Sequence, residues 1–185
     1  ELTVADKNKV TPDVENIKTV CGENYLDCVN DFDVVMKSPG ISFRDVEVNE
    51  NTEVTCQVDM FLRFADCHKV GITGSKGKTT TSTLTYKMLK AAGKDTKLIN
   101  NIGVPVFEAL ESVTPDTYAV IEMSSHQLEF THASPEVAIL TNIYEEHLDH
   151  YKGGFTGYVN AKLHIMNYQN ENDTFIYNAD QGVSE

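Results

Sequence analysis

No apolar run in these 185 residues approaches the ~20 that a membrane span needs. The four cysteines, Cys21, Cys28, Cys56 and Cys67, include no Cys-x-x-Cys pair, and no histidine stands at zinc-finger spacing from them. That excludes a zinc ribbon and argues against a disulfide framework, leaving four thiols of a reducing cytoplasm. Positive charge is scarce: 15 Lys and Arg stand against 28 Asp and Glu, a net charge of −13. Phosphate backbones and anionic membranes need a basic surface, so nucleic acid and membrane are set aside as partners. The acidic excess reads as a surface that aids solubility. No basic segment followed by an apolar one marks a signal peptide, and the first residue is Glu1 rather than Met. The stretch is expected to begin inside a larger protein, cytoplasmic and monomeric.

What is present reads as α/β. Leu2–Ala5, Asn16–Val20 and Phe32–Met36 have the character of strands, with an apolar stretch Tyr25–Val29 between the last two. The third ends at the turn Ser38-Pro39-Gly40. Residues 1–45 are expected to form a partial Rossmann-like domain without its opening strand and glycine-rich turn. Residues 46–67 are expected to be a linker with one helix, about Thr52–Ala65, in which Val54, Val58, Phe61 and Leu62 recur at helical spacing. Residues 68–185 are expected to form a P-loop central domain. Its predicted strands are Lys69–Thr73, Thr96–Ile99, Tyr118–Met123, Glu136–Asn142 and Thr174–Tyr177. Its helices are Lys78–Ala92, with Leu84, Met88 and Ala91 on one face, and Asn160–Tyr168. Strands alternating with helices imply a mainly parallel sheet.

Gly74-Ser75-Lys76-Gly77-Lys78-Thr79 sits between the first of these strands and the first helix. Glycine lets the backbone approach a phosphate and turn its N–H groups inward, and the helix start adds positive potential. Lys78 is placed to reach terminal phosphates and the Thr79 hydroxyl to ligate Mg²⁺. Ile72 stands where the usual loop carries its first glycine, so Gly-x-x-Gly-Lys-Thr is a shorter variant. A glycine-rich turn with an incidental lysine is the plain alternative.

Three residues downstream bear chemistry. Glu122 ends the apolar run Ala119-Val120-Ile121, at the strand end where open parallel sheets bind ligands; it reads as a Mg²⁺ ligand or as a helix-cap acid. Ser124 and Ser125 after it are good N-caps for a short helix through Gln127 and Leu128. His147 lies in Glu145-Glu146-His147-Leu148-Asp149-His150, which alone reads as a solvated acidic loop. Lys162 lies beside a helical face of Tyr158, Ala161 and Ile165. Lysines usually snorkel to water, but one held in an apolar setting would have a lowered pKa and a reactive amine.

These segments together resemble the Mur ligases, the ATP-dependent amide-bond enzymes of peptidoglycan synthesis. The matching pieces are Gly71 to Thr81, Asn101-Ile102-Gly103-Val104-Pro105, Glu122 to Glu129, Asn142 to Tyr151 and Ala161-Lys162, in the family's order. The resemblance implies that Gly74, Ser75, Lys76, Gly77, Lys78, Thr79 and Thr80 bind ATP. It implies that Thr79, Glu122, His147 and a carbamylated Lys162 hold Mg²⁺, with Lys78, His147 and Lys162 in the chemistry. Asn101, Ser125 and Gln127 would contact the UDP-sugar substrate, and Asp6, Ser38 and Gly40 would lie near uridine. The implied substrates are UDP-N-acetylmuramoyl-L-alanine and D-glutamate, joined through an acyl phosphate.

His126 is shared with members that add diaminopimelate or lysine, which keeps a sister ligase open; a folylpolyglutamate-type ligase of the same family is a further alternative. A non-catalytic nucleotide-binding module is the alternative from another class. A P-loop kinase or GTPase ranks last; a GTPase should show an Asn-Lys-x-Asp, and none occurs. The resemblance also implies a separate acceptor-binding domain, so these 185 residues alone are expected to show no ligase turnover and weak ATP affinity.

Overall fold

The computed structural model describes residues 1–99, 103–146 and 149–181. The expected sites Asn101 and His147 lie outside the described residues. Two short parallel pairs open the chain. β1 (Thr3–Asp6) pairs with β2 (Lys18–Cys21), and β3 (Val34–Met36) pairs with β4 (Glu53–Thr55). The helix expected from Thr52 begins only after this fourth strand. Thr52, Val54 and Thr55 are β-branched and fit a pleated ladder better than a helix. Cys56 then caps α1 (Gln57–Phe64), its sulfur accepting from Asp59 N. The stretch expected as a linker therefore supplies a strand to the N-terminal unit.

The rest of the chain builds one five-stranded, wholly parallel sheet, ordered β6-β7-β5-β8-β9. Its elements run β5 (His68–Thr73), α2 (Lys78–Ala91), β6 (Thr96–Ile99), α3 (Val106–Leu110), β7 (Tyr118–Glu122), α4 (Ser125–Leu128), β8 (Val137–Leu140), α5 (Phe155–Leu163) and β9 (Thr174–Tyr177). Side chains alternate across the sheet. Val70, Ile72 and Val120 face α2, where Tyr86 and Leu89 cover them. Ala119, Ile121 and Ala138 face Val58, Phe61 and Leu62 of α1 and Val106 and Ala109 of α3. A sheet covered on both faces explains why β7 reads as a continuous apolar run.

Two expected helix details differ. The face of α2 carrying Leu84 and Met88 points to solvent, with 57% and 63% of their surfaces exposed. The covered face, carrying Ser82, Tyr86 and Leu89, lies on the opposite side of the helix, because Lys78 must start the helix at the loop and that fixes its rotation. The last helix spans Phe155–Leu163, earlier than Asn160–Tyr168, because Gly153 and Gly154 take positive φ (88° and 61°) and turn the chain just before Phe155. Among the described residues no helix is long and apolar enough to cross a membrane.

Chain order sends β6 and β7 to one side of β5 and β8 and β9 to the other. The reversal opens a crevice beyond the carboxyl end of β5, where α/β sheets bind ligands. Ile72, fully buried in that central strand, gives the test of this layering. Ile72→Ala should cost about 3 kcal/mol and lower the midpoint of thermal unfolding by about 9 °C. A shift below about 2 °C would contradict the packing.

Candidate functional site

The loop after β5 owes its shape to two glycines and to β8. Gly74 has φ 145°, and a Cβ on it would lie 2.0 Å from Thr141 Oγ1. Gly77, with φ 85°, is the N-cap of α2. Between them the loop is tied to the end of β8. Asn142 O accepts from Ser75 N at 2.9 Å. Asn142 Oδ1 accepts from Lys76 N at 2.8 Å, and Asn142 Nδ2 donates to Lys76 O at 2.9 Å. Thr141 Oγ1 donates to the same Lys76 carbonyl at 2.7 Å. A loop held this way keeps its open side free: Lys76, Gly77, Thr79 and Thr80 are exposed and Lys78 is half-buried.

Both expected lysines converge on one oxygen. Lys78 Nζ donates to Gly74 O at 2.9 Å and to Ser75 O at 3.0 Å, and Lys162 Nζ donates to Gly74 O at 3.0 Å. Lys162 does not snorkel; only 2% of it is exposed, and its amine lies 4.6 Å from the centre of the Tyr158 ring. Burial, helped by the neighbouring Lys78 and opposed by Glu146, lowers its pKa to about 7. The Tyr158 hydroxyl is in turn fixed to Ser75 Oγ at 2.7 Å and reaches Glu146 Oε2 at 3.5 Å. Ser75 Oγ also accepts from Tyr144 N at 2.8 Å.

Glu122 is buried at the end of β7, and its two carboxylate oxygens accept from Thr79 Oγ1 at 2.9 and 3.1 Å. A carboxylate and a hydroxyl side by side, next to the loop, are hard oxygen donors that suit Mg²⁺. Such an ion takes few protein ligands and keeps water and phosphate as the others. The donor set therefore fits the expected ion. The described residues do contain one cluster of three potential ligands, Glu53, Asp59 and His132. It is a structural knot: Asp59 accepts from Thr55 Oγ1 (2.7 Å) and His132 N (2.6 Å), and Arg63 pairs with both acids.

The remaining expected residues divide in two. Ser125 and Gln127 are buried in α4, which starts with a capping box between Ser124 and Gln127. Ser38 joins Gln127 on the wall of a cavity of roughly 200 Å³, together with Cys56 and Lys37. Ser38 also lines a larger cavity of roughly 400 Å³ against β1 and β3, away from the phosphate loop. Gly40 lies exposed in the turn beyond it. Asp6 ends β1, accepts from Asn8 N at 2.7 Å and lines neither cavity. The roles of Thr141, Tyr144, Glu146 and Tyr158 had no signal of their own in the sequence. Only the fold brings them within reach of the loop.

Residues 72–185 match the Mur ligase middle domain, so the chain belongs to the Mur ligase family. The UDP-N-acetylmuramoylalanine–D-glutamate ligases of Clostridium kluyveri and Clostridium acetobutylicum are 39% and 38% identical to it over 174 residues. Those alignments take in 92% of this chain but only 38% and 37% of the relatives' own lengths. Among solved structures, the UDP-N-acetylmuramate:L-alanyl-gamma-D-glutamyl-meso-diaminopimelate ligase from Neisseria meningitides superposes with a TM-score of 0.52. It is 16% identical, over 96% of this chain and 64% of that one. MurF from Acinetobacter baumannii gives 0.50 at 18% identity, over 93% of this chain and 34% of that one. At such identities the structures establish a shared fold.

The lowered Lys162 pKa has a measurable consequence. Between pH 7 and 10.5 the unfolded chain keeps a proton that the folded chain has released, so stability rises with pH across that window. Relative to Lys162→Met, the wild-type chain should gain about 2 kcal/mol between pH 7 and pH 9, read by urea unfolding. Parallel pH profiles would show that the amine titrates normally.

Proposed function

We propose that the protein to which this chain belongs is an ATP-dependent amide-bond ligase that adds D-glutamate to UDP-N-acetylmuramoyl-L-alanine. The observation that carries this reading is the convergence of Lys78, Lys162, Thr79 and Glu122 around a phosphate-shaped loop in a chain 39% identical to ligases of that name. A carboxylate is a poor electrophile and needs activation before an amine can attack it. In the proposed route the substrate carboxylate attacks the γ-phosphorus of ATP and ADP leaves, giving an acyl phosphate. The amine of D-glutamate then attacks the acyl carbon, and inorganic phosphate departs from the tetrahedral intermediate.

Each residue of this chain has a part. The backbone N–H groups where the loop opens into α2, at Gly77 and Lys78, hold the phosphates, those of Ser75 and Lys76 being bonded to Asn142, and Lys78 leaves the Gly74 and Ser75 carbonyls to meet the γ-phosphate. Thr79, Glu122 and His147 are assigned to Mg²⁺, which when bound supplies charge neutralisation at the phosphates. Lys162, with a pKa near 7, holds its amine neutral in part at physiological pH. A neutral amine is the form that adds CO₂, and the resulting carbamate would turn a buried cation into an oxygen ligand beside the loop. Asp6, Ser38 and Gly40 are assigned to the uridine side, and Asn101, Ser125 and Gln127 to the UDP-sugar substrate. These 185 residues alone are assigned no turnover, and the working enzyme is taken as a cytoplasmic monomer.

ADP release by the full-length protein, with ATP, Mg²⁺ and UDP-N-acetylmuramoyl-L-alanine, tests the reading. D-glutamate should stimulate release where L-lysine and diaminopimelate do not. Lys162→Ala should reduce the rate by about 100-fold or more. Stimulation only by another acceptor moves the protein to a sister ligase, and His126 is then the residue to exchange. No release with any acceptor would leave a nucleotide-binding module.

A further inference from the structure

The third lysine of the site, Lys76, is held differently from the other two. Lys78 Nζ and Lys162 Nζ rest on carbonyl oxygens of the loop. Among the described residues the Lys76 ammonium has no hydrogen-bond acceptor and no carboxylate partner. It lies instead over the Tyr144 ring, 5.7 Å from the centroid.

The backbones of both residues are braced by the same contacts. Asn142 and Thr141 grip the Lys76 peptide at its N–H and at its carbonyl. Tyr144 N donates to Ser75 Oγ at 2.8 Å, and Tyr144 O lies 3.1 Å from that same oxygen. Ser75 N donates in turn to Asn142 O at 2.9 Å. Residues 75–76 and the segment just past β8 are therefore one unit, and it carries both the lysine and the ring. Both side chains remain open to solvent: Lys76 is exposed and Tyr144 is 49% exposed.

The chemistry of this pairing suits a phosphate loop. A carboxylate in place of the ring would hold the ammonium more tightly, but it would cancel the charge and compete with phosphate for the donors. A ring face attracts a cation through its quadrupole and leaves both the charge and the N–H donors available to a ligand. It also restricts a long side chain that must otherwise lose its freedom when the ligand arrives. In a protein of net charge −13, an oriented cation at the loop strengthens the local positive potential that a polyphosphate requires.

We propose that Tyr144 is a positioning residue for the phosphate chain: its ring holds the Lys76 ammonium at the open side of the loop, and Lys76 gives the phosphates a second cation beside Lys78. The inference rests on the assignment of the loop to ATP. Its ligand is the phosphate chain and not the base, so any linear polyphosphate that the loop accepts should feel it.

The test is calorimetric titration of the full-length protein, in Mg²⁺, with a non-hydrolysable ATP analogue and separately with inorganic tripolyphosphate. Lys76→Met should weaken both about tenfold. Tyr144→Leu, which keeps an apolar side chain but removes the ring face, should weaken both about threefold, and Tyr144→Phe should stay within about 1.5-fold of the wild type. In the Lys76→Met background, Tyr144→Leu should have no further effect. Unchanged affinities in Tyr144→Leu, a loss in Tyr144→Phe as large as that in Tyr144→Leu, or losses that multiply in the double variant would overturn the inference. So would a loss confined to the ATP analogue, which would put Tyr144 on the base, and so would failure of the wild-type protein to bind either ligand. The predicted losses without D-glutamate-dependent ADP release in the wild type would sink the proposed reaction and leave this inference standing.

Discussion

At Gly74 the chain leaves its central strand with a positive φ, its α-carbon pressed against Thr141 and its carbonyl facing two lysines. A side chain there would collide with the Thr141 hydroxyl. The glycine therefore lets β8 approach closely enough for Thr141 and Asn142 to grip the Lys76 peptide from both sides. That grip holds the loop's shape, and the loop sets the start of α2, hence the positions of Lys78 and Thr79. The same carbonyl anchors Lys162, which arrives from α5 nearly ninety residues later in the chain. Sheet, loop and both helices thus meet at one peptide.

Charge explains the next level. The protein is strongly acidic, yet two amines lie together on one carbonyl. Bringing a lysine out of water beside another lysine disfavours its charged form, which is why Lys162 titrates near neutrality. The Tyr158 ring face offers partial compensation, and Tyr158 is itself pinned to Ser75 of the loop. Glu122 is handled differently. It is buried but shares the one Thr79 hydroxyl proton between its two oxygens, a geometry that keeps a carboxylate and a hydroxyl adjacent and ready for a hard cation.

The fold class and the phosphate loop were legible in the residues because they depend on local pattern. Alternating apolar runs, a glycine pair and Gly-Lys-Thr between a strand and a helix each follow from nearby chemistry. The start of β4 was not legible, because Val54, Val58, Phe61 and Leu62 fit helical spacing while pairing with β3 decides the outcome. The exposed Leu84 and Met88 escaped for a related reason: the loop, not apolar content, orients α2. Lys162 could be singled out by resemblance, but spacing alone pointed it to water. Its burial depends on Tyr158 and Gly74, and only the folded chain brings these together.

The central claim is that Gly74 to Thr79, with Glu122, form a site for a magnesium-bound nucleoside triphosphate. Its most direct test is calorimetric titration of the full-length protein with a non-hydrolysable ATP analogue, once in Mg²⁺ and once in excess EDTA. Binding that weakens by about tenfold or more when the cation is removed is the predicted result. Equal affinity in both solutions, or no binding in either, would contradict the assignment of the Thr79–Glu122 pair and of the loop beside it.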